Sequence, residues 1–272
     1  MPLDLDGAEG FVFDVDGTLV QRGRDHALHL VPGAVEVLEA IQASGRPFAV
    51  FTNGTHIQPR ELAAELRAVG LPVADDRALT PVDSFLTYAA RRHADAHVLL
   101  LATEPARERI EASGVALVEP GREEHADVVF VAHVTDVSLP QLEAAARAVV
   151  AGAPLLTASY VSAYSGADGP IFSRGAMTTA AIAKASARRP TIVGKPSRAA
   201  VQTVVDRLGV PSEKLVVVGD DVRMDIGLGH IGGSRTVLVR TGITGSSSLS
   251  RIPAARRPHA VIDSIAALSD AL

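Results

Sequence analysis

The chain has 272 residues, 47% of them hydrophobic, with a formal net charge of −5 and no cysteine. That length suits one large domain or two modest ones with a sizeable core, and the charge offers no basic footprint for nucleic acid. The lack of cysteine excludes disulfides, thiolate zinc sites and a cysteine nucleophile.

No apolar run approaches the ~18 residues of a membrane span, and the opening Met-Pro-Leu-Asp-Leu-Asp has neither the basic nor the apolar part of a signal peptide. A cytoplasmic protein without nucleic-acid or membrane partners is the expectation. Arginine dominates the basic residues, leaving only Lys184, Lys195 and Lys214 as lysines. Each lysine therefore stands out.

The first informative stretch is Phe11-Val12-Phe13-Asp14-Val15-Asp16-Gly17-Thr18. Its apolar start reads as a buried strand, and Gly17 permits a sharp turn at the strand end. Side chains two apart on a strand share a face, so Asp14 and Asp16 are expected to meet at the tip. Two such carboxylates repel by roughly 4 kcal/mol at about 4 Å and an effective dielectric near 20. A bound cation is the simplest reason to keep them together.

Residues 19–32 read as a polar loop closing on Pro32-Gly33. A helix over 33–44 places Val37, Leu38 and Ile41 on one face and stops at Gly45. A second short strand at 48–51 ends in Thr52-Asn53-Gly54, and a helix over 59–69 carries Leu62, Leu66 and Val69 on one side. Strand, helix, strand, helix is the rhythm of a parallel sheet with crossover helices. Leu79-Thr80-Pro81 reads as a hinge into a middle block with its own alternation. That block has helices over 83–92, 105–113 and 139–150, and strands at 97–102, 115–118, 127–132 and 155–158. Residues 159–175, rich in Gly, Ser and Tyr, break the pattern, and irregular stretches of that length are often functional.

A helix over 177–187 follows, then 191–193 leads into Gly194-Lys195-Pro196-Ser197. Ser197 caps a helix with Val201, Val204, Val205 and Leu208 on one face. A third buried strand at 215–218 runs into Gly219-Asp220-Asp221-Val222-Arg223-Met224-Asp225, and a fourth spans 236–239. Residues 246–248 read as a loop, and the tail carries one short apolar helix.

Asp14 and Asp16, Thr52 and Asn53, Lys195, and Asp220 with Asp221 and Asp225 all sit just after apolar strands. Loops are polar in any protein, so one such hit means little. Several independent hits at the carboxyl ends of strands, where open parallel sheets bind ligands, indicate a site. Gly227-Leu228-Gly229-His230-Ile231-Gly232 spells a dinucleotide fingerprint but does not follow a strand, and reads as a turn. His93 and His97 lack the third ligand of a zinc site.

These motifs, in this order, resemble the haloacid dehalogenase-like (HAD) superfamily of hydrolases. The chain is most similar to subfamily IIA, the NagD-like or para-nitrophenyl phosphatase branch. The carrying motifs are Asp14-Val15-Asp16-Gly17-Thr18, Thr52-Asn53-Gly54, Lys195 in Gly-Lys-Pro-Ser, and Gly219-Asp220 through Asp225. The resemblance implies an α/β fold: a Rossmann-like parallel-sheet core from residues 1–80 and 188–272, with an inserted α/β cap of type C2 over 81–187. It implies a magnesium-dependent phosphatase of small phosphomonoesters, with the cap excluding water and reading the leaving group.

By the same resemblance Asp14 is the nucleophile that forms an aspartyl-phosphate, and Asp16 is the general acid and then base. Mg2+ is held by Asp14, Asp220 and the backbone carbonyl of Asp16. Lys195 neutralises the transferring phosphoryl group, while Thr52, Asn53 and Gly54 bind phosphate oxygens. Asp225 and Asp221 orient Lys195 or a metal-bound water; a plain helix-terminus acid is nearly as good a reading of Asp225. The expected partner is a small phosphorylated metabolite. Relatives often dimerise through the cap, which makes a homodimer the expectation, although the residues leave oligomeric state open.

The branch often carries Thr-Asn-x-Asp in its cap, where this chain has Thr157-Ala158-Ser159-Tyr160, and the stretch from Tyr164 to Pro170 is individual. The substrate therefore does not carry over. Two alternatives remain in view: a HAD-type dehalogenase, against which the leaving-group acid Asp16 speaks, and a non-catalytic phosphate-binding module, which would have lost a motif residue.

Overall fold

A computed structural model describes residues 5–23, 27–119, 121–166, 169–244, 249 and 252–272. The expected loop at 246–248 and the centre of the individual stretch, Ala167 and Asp168, lie outside the described residues. The chain divides into two compact units. One comprises Met1–Thr52, Pro59–Leu79 and Lys195–Leu272, and the other Asn53–Gln58 and Thr80–Gly194.

The first unit begins with β1 (Gly10–Phe13), buried throughout. A hairpin of β2 (Val20–Arg22) and β3 (Leu28–Leu30) follows, then α1 (Ala34–Ala43), β4 (Phe48–Phe51), α2 (Pro59–Ala68) and β5 (Ala78–Leu79). The second unit holds α3 (Pro81–Arg92), β6 (His97–Leu101), α4 (Glu104–Glu111), β7 (Ala116–Leu117), β8 (Val128–Val131) and α5 (Leu139–Ala151). It continues with β9 (Leu155–Thr157), a hairpin of β10 (Ala163–Gly166) and β11 (Gly169–Phe172), α6 (Arg174–Ser186) and β12 (Thr191–Ile192). The chain returns to the first unit with α7 (Arg198–Leu208), β13 (Leu215–Gly219), a π-helical turn at Val222–Ile226, α8 (Gly227–Gly232), β14 (Arg235–Val239) and β15 (Ala260–Ile262).

In the first unit a six-stranded sheet has the order β15-β14-β13-β1-β4-β5, and every pairing is parallel. From β1 the chain steps outward to β4 and β5, then re-enters at β13 on the other side and steps outward to β14 and β15. The strand order thus reverses between β1 and β13, which opens a crevice at the carboxyl edge there. Phe13 pairs with both Val218 and Val50, so the residues that follow these strands emerge at one level.

Strands buried on both faces read as continuous apolar runs, as GFVF, FAVF and LVVVG do. One sheet face packs Val12, Ala49, Phe51 and Val217 against Ala200, Val204 and Leu208 of α7 and Leu228 of α8. Ser197 caps α7 by accepting the Ala200 N–H at 3.0 Å, as expected.

The second unit has its own five-stranded parallel sheet, ordered β12-β9-β8-β6-β7. Leu99, Leu101, Val129 and Val131 pack on one side against Ala145, Ala148 and Val149 of α5 and Ile182 of α6. Phe130 points the other way and stacks on Phe85 of α3, with centroids 4.1 Å apart and planes within 3°.

Three readings of the sequence need correction. The described residues of 19–32 carry the antiparallel pair β2–β3 rather than a polar loop; Leu19, Val20 and Val31 are buried, and strands of three residues are too short for periodicity to reveal. The break at 159–175 likewise contains the β10–β11 hairpin. The Gly227–Gly232 run is a short helix rather than a turn. There a Cβ on Gly229 would lie 2.2 Å from Thr236 Cγ2, so glycine serves close helix–sheet packing. Among the described residues no helix is long and apolar enough to cross a membrane.

Phe130→Ala is expected to destabilise the second unit by about 3–5 kcal/mol, since truncation leaves a cavity beneath Phe85. Urea titration followed by a probe in that unit measures the loss.

Candidate active site

The sheet of the first unit delivers its polar groups to the crevice between β1 and β13. Asp14 leaves β1 and donates its backbone N–H to Val218 O at 2.9 Å. Asp220 leaves β13 beside it, and Thr52 leaves β4, with its N–H donated to Leu79 O at 3.2 Å. Lys195, which opens the last segment of this unit, is buried and reaches two carboxylates. Its Nζ lies 2.6 Å from Asp14 Oδ1 and 2.7 Å from Asp225 Oδ1.

The π-helical turn presents Asp225. Asp221 caps that turn, its Oδ1 accepting the N–H groups of Arg223 at 2.6 Å and Met224 at 3.1 Å. Asp225 Oδ2 in turn accepts the Asp221 N–H at 3.0 Å. Asp221 is thus occupied as a backbone cap, and Asp225 is the partner of Lys195 rather than a solvated helix-terminus acid.

Asp14, Asp220 and Asp225 each offer a carboxylate oxygen within 4.8 Å of the others. One lysine among three acids, Asp220 and Asp225 buried and Asp14 partly so, leaves negative charge uncompensated. Burial, followed by the charges of Asp14 and Asp225, pushes the Asp220 carboxyl up to about 8. Burial also raises Asp14 and Asp225, against the pull of Lys195. Burial would lower Lys195, but Asp14 and Asp225 outweigh it and hold the ammonium protonated well above its usual range. Hard oxygen donors with excess negative charge suit a divalent cation such as magnesium. The residues fit such an ion.

Asp16 behaves differently. β1 ends at Phe13, so the two-residue period does not extend through Asp14 and Asp16. The Thr18, Leu19 and Val20 N–H groups all converge on Val15 O. This tight turn sends the Asp16 carboxylate to Arg22, whose Nε lies 3.2 Å from Oδ1. Asp16 is half exposed, yet partial burial raises its carboxyl, with Arg22 opposing.

A loop that follows β14 completes the site, and the sequence reading missed it. Thr241 Oγ1 donates to Gly17 O at 2.6 Å, and the Ile243 N–H donates to Asp220 Oδ2 at 2.5 Å. Gly17 has φ +85°, and a Cβ there would lie 2.6 Å from Asp220 Oδ2; on Gly242 it would lie 1.9 Å from the same atom. Both glycines are needed for close approach to Asp220. The signal was available, because Thr241-Gly242 follows a buried strand just as Thr52-Asn53 does.

Two family models match the chain, one described as haloacid dehalogenase-like hydrolase over residues 11–116 and one as HAD-hydrolase-like over residues 192–268. The chain belongs to the haloacid dehalogenase-like hydrolases. The relatives it matches belong to subfamily IIA, the branch its motifs resemble. It is 25% identical to a dihydroxyacetone phosphatase of Corynebacterium glutamicum, over 96% of this chain and 90% of that one. It is 26% identical to the ribonucleotide monophosphatase NagD of Escherichia coli, over 94% and 96%. The p-nitrophenyl phosphatase of Archaeoglobus fulgidus superposes with a TM-score of 0.86 at 26% identity, covering 97% of this chain and 99% of that one.

In this HAD-like chain, Asp14, Asp16, Thr52, Lys195, Asp220, Asp221 and Asp225 all belong to the first unit: Lys195 opens its last segment, and the others stand at the carboxyl edge of its sheet or in the turns that leave it. Asn53 and Gly54 follow Thr52 directly and open the second unit.

The raised Asp220 carboxyl gives a pH dependence with a definite sign. Between its ordinary value of 3.8 and about 8, the metal-free native protein keeps a proton that the unfolded chain has lost. Stability then falls as pH rises through that window. Urea midpoints of metal-free protein are expected to drop from pH 5 to pH 8, and Asp220→Asn is expected to flatten that slope.

Proposed function

We propose that this chain is a magnesium-dependent phosphatase that hydrolyses small phosphomonoesters through an aspartyl-phosphate on Asp14. The observation that carries the reading is the buried set of Asp14, Asp220 and Asp225 around Lys195 at the reversal point of the parallel sheet. The relatives named above act on dihydroxyacetone phosphate, ribonucleotides or p-nitrophenyl phosphate, by their names. A small phosphomonoester is the chemistry common to all of them.

Phosphoryl transfer depends mainly on positioning and charge neutralisation. Lys195 stays protonated, so it opposes the burial that raises the Asp14 carboxyl and supplies positive charge beside the attacked phosphorus. One oxygen of Asp14 is held by Lys195, and the other attacks phosphorus as the leaving alcohol departs. Asp16, with its raised carboxyl, gives the alcohol its proton and then, as base, takes one from the water that hydrolyses the aspartyl-phosphate. Thr52, with Asn53 and Gly54 that follow it, holds phosphate oxygens.

Asp14, Asp220 and the Asp16 carbonyl would hold magnesium, which supplies further neutralisation of phosphoryl charge. Asp225 fixes the direction of Lys195, and Asp221 fixes Asp225 through the turn it caps. A dehalogenase has no leaving alcohol to protonate, and Asp16 in the general-acid position favours the phosphatase.

Asp14→Asn is expected to lower kcat on para-nitrophenyl phosphate by on the order of 10³-fold or more, with the fold intact by circular dichroism. Chelation should abolish phosphate release and Mg2+ should restore it. Near-wild-type turnover by the asparagine variant would overturn the nucleophile assignment.

A further inference from the structure

Arg22 belongs to none of the motifs that identify the family, yet it is the side chain that holds Asp16. The Gly17 N–H donates to Val20 O at 2.7 Å, and Asp16 and Val20 form an isolated bridge. These contacts fold the chain back after the turn, so that β2 runs past the carboxylate it has just left. Arg22, six residues on, then meets Asp16 Oδ1 through Nε at 3.2 Å, and its Nη2 lies 3.4 Å from Glu65 Oε2 on α2. A planar guanidinium can bridge two acids in this way because its donors diverge in a fixed fork, which a lysine ammonium does not offer.

The contact to Asp16 is one-sided. Only Oδ1 is engaged among the described residues, so Oδ2 is left to carry a proton, while the rotation of the carboxyl is restrained. All three side chains are about a third to a half exposed, and exposed ion pairs of this kind add little to stability. The arrangement is better accounted for by what it does to Asp16. An acid that delivers a proton to a leaving oxygen must be within hydrogen-bond reach and correctly turned, and a restrained carboxyl meets that demand more often than a free one.

We propose that Arg22, braced by Glu65, is a positioning residue that holds the Asp16 carboxyl with Oδ2 presented for proton transfer to the leaving oxygen. This rests on the phosphatase reading above, and it makes a demand that the reading alone does not. Protonation of the leaving oxygen matters greatly for an alkyl phosphate, whose alkoxide is a poor leaving group, and little for para-nitrophenyl phosphate, whose phenolate departs readily. Loss of Arg22 must therefore discriminate between the two esters.

The test compares kcat/KM for glycerol 2-phosphate and para-nitrophenyl phosphate in wild type, Arg22→Met, Glu65→Gln and Asp14→Asn, all saturated with Mg2+. That parameter reports the steps up to phosphoryl transfer to Asp14. Arg22→Met is expected to lose on the order of 10- to 100-fold on the alkyl ester, and far less on the aryl ester. Glu65→Gln is expected to move the same ratio in the same direction by a smaller factor.

Equal losses on both esters, or a rise in KM shared by both as for a phosphate ligand, would overturn the proposal and leave the phosphatase reading intact. A wild type that releases phosphate from neither ester, or an Asp14→Asn variant as active as wild type, would overturn both.

Discussion

Everything at the carboxyl edge of the first sheet depends on Lys195 between Asp14 and Asp225. Three carboxylates brought together in a buried crevice repel one another and lose their hydration. A single ammonium at 2.6 and 2.7 Å from two of them offsets part of that cost. Breaking such a buried pair on one side leaves an uncompensated charge and costs about 3–5 kcal/mol. Burial, and then the remainder of the imbalance, fall on Asp220, whose carboxyl is pushed up to about 8. A site that holds surplus negative charge and one fixed cation is prepared for a second cation and a phosphoryl group, because each supplies what the other lacks.

Sheet topology explains how residues so distant in sequence reach one crevice. Asp14 and Asp220 stand near opposite ends of the chain, but the reversal of strand order puts β1 and β13 side by side in matched register. Backbone proximity sets the final distances. Gly17 and Gly242 leave room for the Asp220 carboxylate, and the N–H of Ile243 gives it a fixed donor. Gly219 allows the Asp225 side chain to lie against the end of β13, where a Cβ would come within 2.3 Å of it. The glycines act here by absence of a side chain, which brings a charged group closer to the sheet than any other residue would allow.

How much of this was legible in the sequence follows from the range of each interaction. The apolar runs of β1, β4, β8, β13 and β14 announce themselves because strands buried on both faces need no partner to be recognised. Helices α1, α2, α5 and α7 declare themselves by periodicity and caps. The hairpins β2–β3 and β10–β11 do not, since short strands without a continuous apolar run of four are defined by pairing rather than by pattern. The edge strands β5 and β15 were missed for the same reason. Asp14, Thr52, Lys195 and Asp220 could be picked out because each follows a strand and carries a chemically suitable group. The local functions of Asp221 and Asp225 could not, because a capping acid and a lysine partner look alike until the turn between them is seen.

The two cations of the site also illustrate different uses of charge. Lys195 is buried, so its field is barely screened and it pulls the Asp14 carboxyl down against the effect of burial. Arg22 is part-exposed and its field is weakened by water; its value to Asp16 lies in geometry, through a rigid guanidinium held at its other end by Glu65. A nucleophile requires constant charge, whereas an acid that becomes a base within one turnover requires a charge that can change while its position does not. A compact buried ammonium suits the first demand, and a planar, solvated guanidinium suits the second. The strand tip thus separates two carboxylates that are only two residues apart into different electrostatic surroundings, which is the condition for them to perform different chemistry.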